Sequence, residues 1–152
     1  MKARINPNHA APEAYKAMMG LETYVQKSGL PPSLLDLIKT RASQINGCSY
    51  CVHMHTAEAR AHGESEERLY LLSAWHESPL YTDRERAALA WTEAVTRVAD
   101  THVPDDVYDE ARRHFSEAEL VNLTVAIGAI NAWNRLAISF RIPHPMKAAH
   151  AA

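Results

Sequence analysis

The chain contains only two cysteines, Cys48 and Cys51, in the run Cys48-Ser49-Tyr50-Cys51-Val52-His53-Met54-His55. The thiols stand three residues apart, and His55 lies four residues past the second. On a helix, positions i, i+3 and i+7 share one face. Two thiols within reach of each other, and an imidazole within reach of one of them, are the parts of a dithiol redox centre.

The reactive form of cysteine is the thiolate, whereas a free thiol with a pKa near ~8.5 is mostly protonated at neutral pH. Two devices lower that value: the unpaired N–H groups at a helix start, and a nearby proton acceptor or cation. Asn46-Gly47 precedes the pair and sets both cysteines at the beginning of a helix. His55, one turn past Cys51 on the same face, provides the second device. His53 is only two residues from Cys51 and points elsewhere. Cys51 is therefore the expected nucleophile toward a peroxide, and Cys48 the resolving thiol. Cys48 condenses with the sulfenic acid on Cys51, releasing water and leaving a disulfide that a reductant reopens by thiol exchange.

Other readings use the same residue types. Cys48, Cys51, His53 and His55 are four zinc-type ligands by composition. One helix does not aim all four at one point, and the chain has no second cysteine pair, so zinc held by three of them is the rival metal site. Covalent haem attachment needs CxxCH, and Val52 follows Cys51. A thioredoxin fold places CxxC beside a βαβ pattern, which is absent. The plainest alternative is two small apolar residues buried at helical spacing, with His55 a core histidine bonded to a carbonyl.

The elements that must hold these residues all read as helices. Pro12 opens a segment through about Lys27, stopped by Gly29. Ser33-Leu34-Leu35-Asp36 resembles a capping box with aspartate at N3, starting a helix to about Ile45 that Asn46-Gly47 ends. The cysteine helix follows, from near Cys48 to Ala61, with Gly63 as its stop. Ser65-Glu66-Glu67 starts a helix through Leu69, Leu72 and Trp75, halted around Ser78-Pro79. Thr82-Asp83-Arg84-Glu85 is a second box, beginning a long helix that carries Leu89, Trp91, Val95 and Val98. Pro104-Asp105-Asp106 starts a short helix to about His114. Ser116-Glu117-Ala118-Glu119 is a third box, opening a final helix that must end before Pro143. That helix is apolar on several sides, which places it centrally or in a subunit interface.

With 152 residues the chain is read as one domain, 1–152, long enough to bury a hydrophobic core. Its 16 Lys and Arg stand against 18 Asp and Glu with no basic block, which argues against nucleic acid. The N-terminal residues do not read as a signal peptide. The apolar stretch from Leu120 to Ile142 is interrupted by Asn122, Asn131, Asn134 and Arg135, which argues against a membrane span. The expected setting is cytoplasmic, where a cysteine pair is more often catalytic, redox-active or metal-binding than a structural staple.

The run Ser43-Gln44-Ile45-Asn46-Gly47-Cys48 through His55 closely resembles the active-site signature of the AhpD-like alkylhydroperoxidases of the carboxymuconolactone decarboxylase superfamily. Stretches 81–91 and 129–136 are similar to that family too, so the resemblance covers about Ala11 to Pro143. It implies an all-α, AhpD-like helical bundle of about six to seven helices. It also implies a CxxC thiol peroxidase acting on alkyl hydroperoxides or hydrogen peroxide without flavin, haem or metal. The partners it implies are a dithiol, thioredoxin-like or lipoyl reductant and further copies of the chain, as a trimer or hexamer. In better-known members a glutamate twelve residues before the first cysteine drives a proton relay to the histidine through water. That position is Asp36 here, one methylene shorter, and capping and relay both remain open for it. A histidine that some members carry just before the second cysteine is Tyr50. The decarboxylase branch does not depend on the cysteine pair, so both thiols together favour the redox branch. The same thiols equally suit a protein disulfide reductase or a redox sensor, and an inert scaffold with a structural disulfide is a third reading.

Tyr50 reads as a half-buried aromatic or a lining of the substrate entrance. His53, His62 and His76 read as surface or packing residues, and Trp91 and Trp133 as core or interface anchors. Asn131, Asn134 and Arg135 need hydrogen-bond partners if buried, expected between helices or subunits.

Overall fold

The computed structural model describes residues 2–145; Met1 and residues 146–152, the ends of the expected domain, lie outside it. The regular structure of the described residues is helical: α1 Pro7–Ala10, α2 Pro12–Gln26, α3 Pro32–Asn46, α4 Ser49–Ala61, α5 Glu66–Leu71, α6 Asp83–Thr96, α7 Val98–Thr101, α8 Asp105–His114 and α9 Glu117–Phe140. A 3₁₀ turn, Leu72–Ala74, extends α5. None of these helices is long and apolar enough to cross a membrane. The all-α class agrees with expectation, but the described helices number nine. One addition is α1, where the Asn6 side chain accepts from the His9 N–H and Pro7 stands in the first turn. The other is α7, because the long helix expected through Val98 breaks at Arg97 (φ −104°, ψ 33°). There the Thr101 hydroxyl donates to the Ala94 carbonyl.

The boxes at Thr82/Glu85 and Ser116/Glu119 both form, each side chain bonding the other residue's backbone N–H. The box expected at Ser33 does not. Pro31 occupies the cap position and Pro32 begins α3, with no side-chain cap. Proline's fixed φ pre-sets the first helical turn, so two prolines in series start the helix earlier than serine would. Asp36 consequently lies more than a turn inside α3, and helix capping no longer accounts for it.

The connection that positions the thiols is two residues long. Gly47 (φ 70°) ends α3 in the left-handed region that glycine adopts without steric cost. Its N–H donates to the Gln44 carbonyl, and the Cys48 N–H donates back to Ser43 O. These two bonds make a Schellman turn. Cys48 therefore closes α3 and, in the same residue, caps α4.

α9 runs through the centre, with α3 packing against α4, α6 and α9. Leu120, Leu123, Ala126 and Ile127 of α9 meet Leu34, Leu35 and Ile38 of α3, together with Trp91 of α6 and Phe115. The Trp91 indole N–H donates to Thr124, as befits a core anchor. One polar ladder crosses this apolar contact. Asn46, at the end of α3, donates to the side-chain oxygens of Asn131 and Asn134, both at 2.8 Å. Asn134 donates on to Ser43 (3.1 Å), and Asn131 to Thr96 (3.1 Å). These are the inter-helix bonds that buried asparagines require; Arg135 donates within its own helix, to Asn131. They pin the end of α3, and hence the Gly47-Cys48 joint, against α9.

Candidate active site

Cys48 caps α4 and Cys51 is its third residue, so the sulfurs meet across one turn, with Cα atoms 5.4 Å apart and a disulfide between them. The Cys51 N–H points at Cys48 Sγ, 3.3 Å away. It is one of the donors that a helix start leaves unpaired, and it favours negative charge on the Cys48 sulfur. The cysteines are 1% and 2% exposed, in an apolar cluster with Ala42, Ile130 and Ala137.

The two sulfurs differ in access. A cavity of about 1040 Å³ has Cys51 in its wall but not Cys48. Tyr15, Tyr50, Met54, Ile130 and Trp133 supply its apolar surface, and Asp36, Lys39, Glu58 and His62 a charged flank. Tyr50 thus belongs to the cavity wall. So does Trp133, whose ring meets Tyr15 edge-on at 5.3 Å and packs half-buried against the cysteine cluster. Residues 3–8 and 142–143 complete the wall, and Arg4 ties the first of these segments to the Ser139 and Phe140 carbonyls.

His55 lines the same cavity while being only 4% exposed. Its Nδ1 lies 2.9 Å from Glu58 Oε2, and its Nε2 is buried with no hydrogen-bond partner. The hydrogen bond from His55 holds the Glu58 carboxyl below its ordinary range, against the opposing effect of burial. A carboxylate only accepts, so Nδ1 is the donor to Glu58; in the neutral form of the ring Nε2 is then the acceptor.

Asp36 lines the same cavity as His55 and is directly hydrogen-bonded to another histidine. Its Oδ2 lies 2.7 Å from Nδ1 of His62, and no hydrogen bond joins it to His55. Glu58, one turn past His55 on the same helix, reaches that ring without crossing between helices, whereas the short arm of Asp36 meets the histidine at the end of α4. His62 is about half exposed, as a surface residue should be, but its pairing at the cavity wall goes beyond that reading. The Asp36 hydrogen bond, and then its charge, raise the His62 pKa above the ordinary 6.5. His53 is exposed and its ring stacks on His144 at 5.1 Å, away from any grouping with the sulfurs.

Sequence reasoning missed Glu58 and the Lys39–Glu22 ion pair of the charged flank. The His55–Glu58 spacing of three residues, a helical neighbour pair, was the available signal for the first. The buried lysine had none short of knowing that α2 packs beside α3.

The family model of the carboxymuconolactone decarboxylase family matches residues 12–94. The uncharacterised Bacillus subtilis protein YdfG is 42% identical over 139 residues, covering 91% of this chain and 95% of its own. Among solved structures, an Agrobacterium tumefaciens protein of unknown function, for which an AhpD antioxidant-defence role has been suggested, is 55% identical. It has a TM-score of 0.94, covering 96% of this chain and 100% of that one. The debrominase Bmp8 shares the fold at 22% identity, with a TM-score of 0.81 over 90% of this chain and 74% of its own. An all-helical AhpD-like bundle with a cysteine pair is thus the class that fold and site define. The chain belongs to the carboxymuconolactone decarboxylase family, as an AhpD-like member.

Proposed function

We propose that this chain is a thiol-dependent peroxidase that reduces alkyl hydroperoxides or hydrogen peroxide through a Cys48/Cys51 dithiol–disulfide cycle. One observation carries the reading: Cys51 and His55, whose Nε2 is buried without a hydrogen-bond partner, line one cavity, and Cys48 does not. In the reduced form, His55 Nε2 takes the Cys51 proton. The thiolate attacks the outer peroxide oxygen, the O–O bond breaks, and the leaving alkoxide takes the proton from His55. The product is Cys51 sulfenic acid. Cys48 attacks that sulfur, the S–O bond breaks, water leaves and the disulfide forms.

Reopening takes two electrons from a dithiol. The reductant thiolate attacks the cavity-facing Cys51 sulfur, so Cys48 leaves as the thiolate that the Cys51 N–H stabilises. The reading includes a dithiol or dithiol-bearing protein as reductant, a homo-oligomer, and a cytoplasmic setting whose thiol pools keep such pairs reduced. A cavity fits a small substrate better than a protein disulfide, which favours peroxide turnover over the disulfide-reductase and sensor readings.

Steady-state consumption of cumene hydroperoxide with dithiothreitol as donor tests the proposal. Wild-type turnover should exceed the Cys51→Ser background by at least about 100-fold, the low end of what proton transfer to and from a positioned side chain contributes. A wild-type rate equal to that background removes the peroxidase reading.

A further inference from the structure

We propose that Glu58, rather than Asp36, is the positioning carboxylate of the site: it fixes the His55 tautomer that presents a bare Nε2 to Cys51. The proposal rests on the peroxidase reading for its kinetic consequence but not for its structural content. The geometry is direct. Glu58 Oε2 is 2.9 Å from Nδ1 of His55, and the ring is buried with its other nitrogen unpartnered at the cavity wall. Asp36 is engaged elsewhere, 2.7 Å from Nδ1 of His62.

A neutral imidazole carries one ring proton, and the hydrogen bond at one nitrogen decides what the other can do. With Nδ1–H donated to Glu58, Nε2 accepts a proton. Were the proton on Nε2 instead, the ring would offer the Cys51 thiol a donor, and the abstraction step would have no base. That hydrogen bond lowers the Glu58 pKa against the opposing effect of burial, and positive charge on His55 when it is protonated, on Lys39 of α3 and on His62 lowers it further. Asp36 and Glu22 also face this flank, each with its own partner in His62 and Lys39. The carboxylate assignment thus moves from the helix before the thiols to the helix that carries them.

The test uses the ¹⁵N-labelled full chain at pH 8, reduced and oxidised, with imidazole tautomers read by long-range ¹H–¹⁵N correlation. The wild type should show His55 protonated on Nδ1. Glu58→Ala should shift it toward the Nε2–H form, and Glu58→Gln, whose amide oxygen still accepts, should keep Nδ1–H. In stopped-flow oxidation by cumene hydroperoxide, Glu58→Ala should be slowed about 10-fold, part of the 10²–10⁴ that a complete general base provides. Glu58→Gln should recover most of that loss. The proposal is overturned if wild-type His55 is protonated on Nε2, or if Glu58→Ala leaves the tautomer or the rate unchanged. A tautomer switched by Asp36→Asn but not by Glu58→Ala overturns it as well. The spectra need no peroxide, so a wild type inert toward peroxide would remove the enzyme reading while the spectra still decide the tautomer.

Discussion

The Asp36 carboxylate lies 2.7 Å from Nδ1 of His62, joining the interior of α3 to the residue that caps the far end of α4. Glu58 and His55 form the other carboxylate–imidazole pair on the same cavity wall. One pair spans two helices and the other lies within one, which separates their consequences.

The spanning pair makes stability depend on pH. Asp36, by hydrogen bond and then by charge, raises the His62 pKa above its ordinary 6.5. A group whose folded value is raised contributes stability that is complete below the unfolded value and lost as pH rises through the folded one. The wild-type urea midpoint should therefore fall as pH climbs from about 6 through the raised His62 value. His62→Gln should lack that component. An identical pH dependence in the variant would show that the pair does not couple protonation to folding.

Removing the resolving thiol should stop the cycle after one step. In Cys48→Ser, one equivalent of peroxide should convert Cys51 to a sulfenic acid that dimedone traps, without turnover. Mass spectrometry of the trapped chain measures it. An adduct found instead on residue 48 in the reciprocal Cys51→Ser variant, formed at wild-type speed, would reverse the two cysteine roles.

His55→Ala should slow peroxide-driven disulfide formation by about 10²- to 10⁴-fold, the range for general base catalysis. Oxidation by diamide, which needs the same Cys51 thiolate but no proton delivered to an alkoxide, should slow less. Equal slowing by both oxidants would confine the imidazole to the step they share, ionisation of Cys51, and remove its role as proton donor to the alkoxide.

Asn134 is fully buried and links Asn46 to Ser43. Asn134→Ala strands part of that ladder, and unsatisfied buried groups cost about 1–3 kcal/mol each. Urea unfolding should register a loss of that size. The peroxide rate should fall too, since the ladder holds the joint carrying Cys48. Unchanged stability would mean that water replaces the missing amide.

The architecture was legible wherever local chemistry decides it. Thr82/Glu85 and Ser116/Glu119 satisfy each other's backbone donors within four residues, and Gly47 ends α3 by its own conformational freedom. The Ser33 box failed because two prolines, themselves local signals, started α3 first. At the site, the Cys48–Cys51 proximity followed from helical spacing. The partners of Asp36 and Lys39 did not, since they depend on how α2, α3 and the end of α4 pack. Glu58 was within reach of a spacing argument; the resemblance to relatives directed attention to position 36 instead.

The double duty of residue 48 bears on how its sulfur should be removed. Serine keeps an acceptor for the first turn of the following segment, whereas alanine deletes the sulfur and the bracket between two rods together. A defect seen with alanine but absent with serine would then belong to carpentry rather than to redox chemistry.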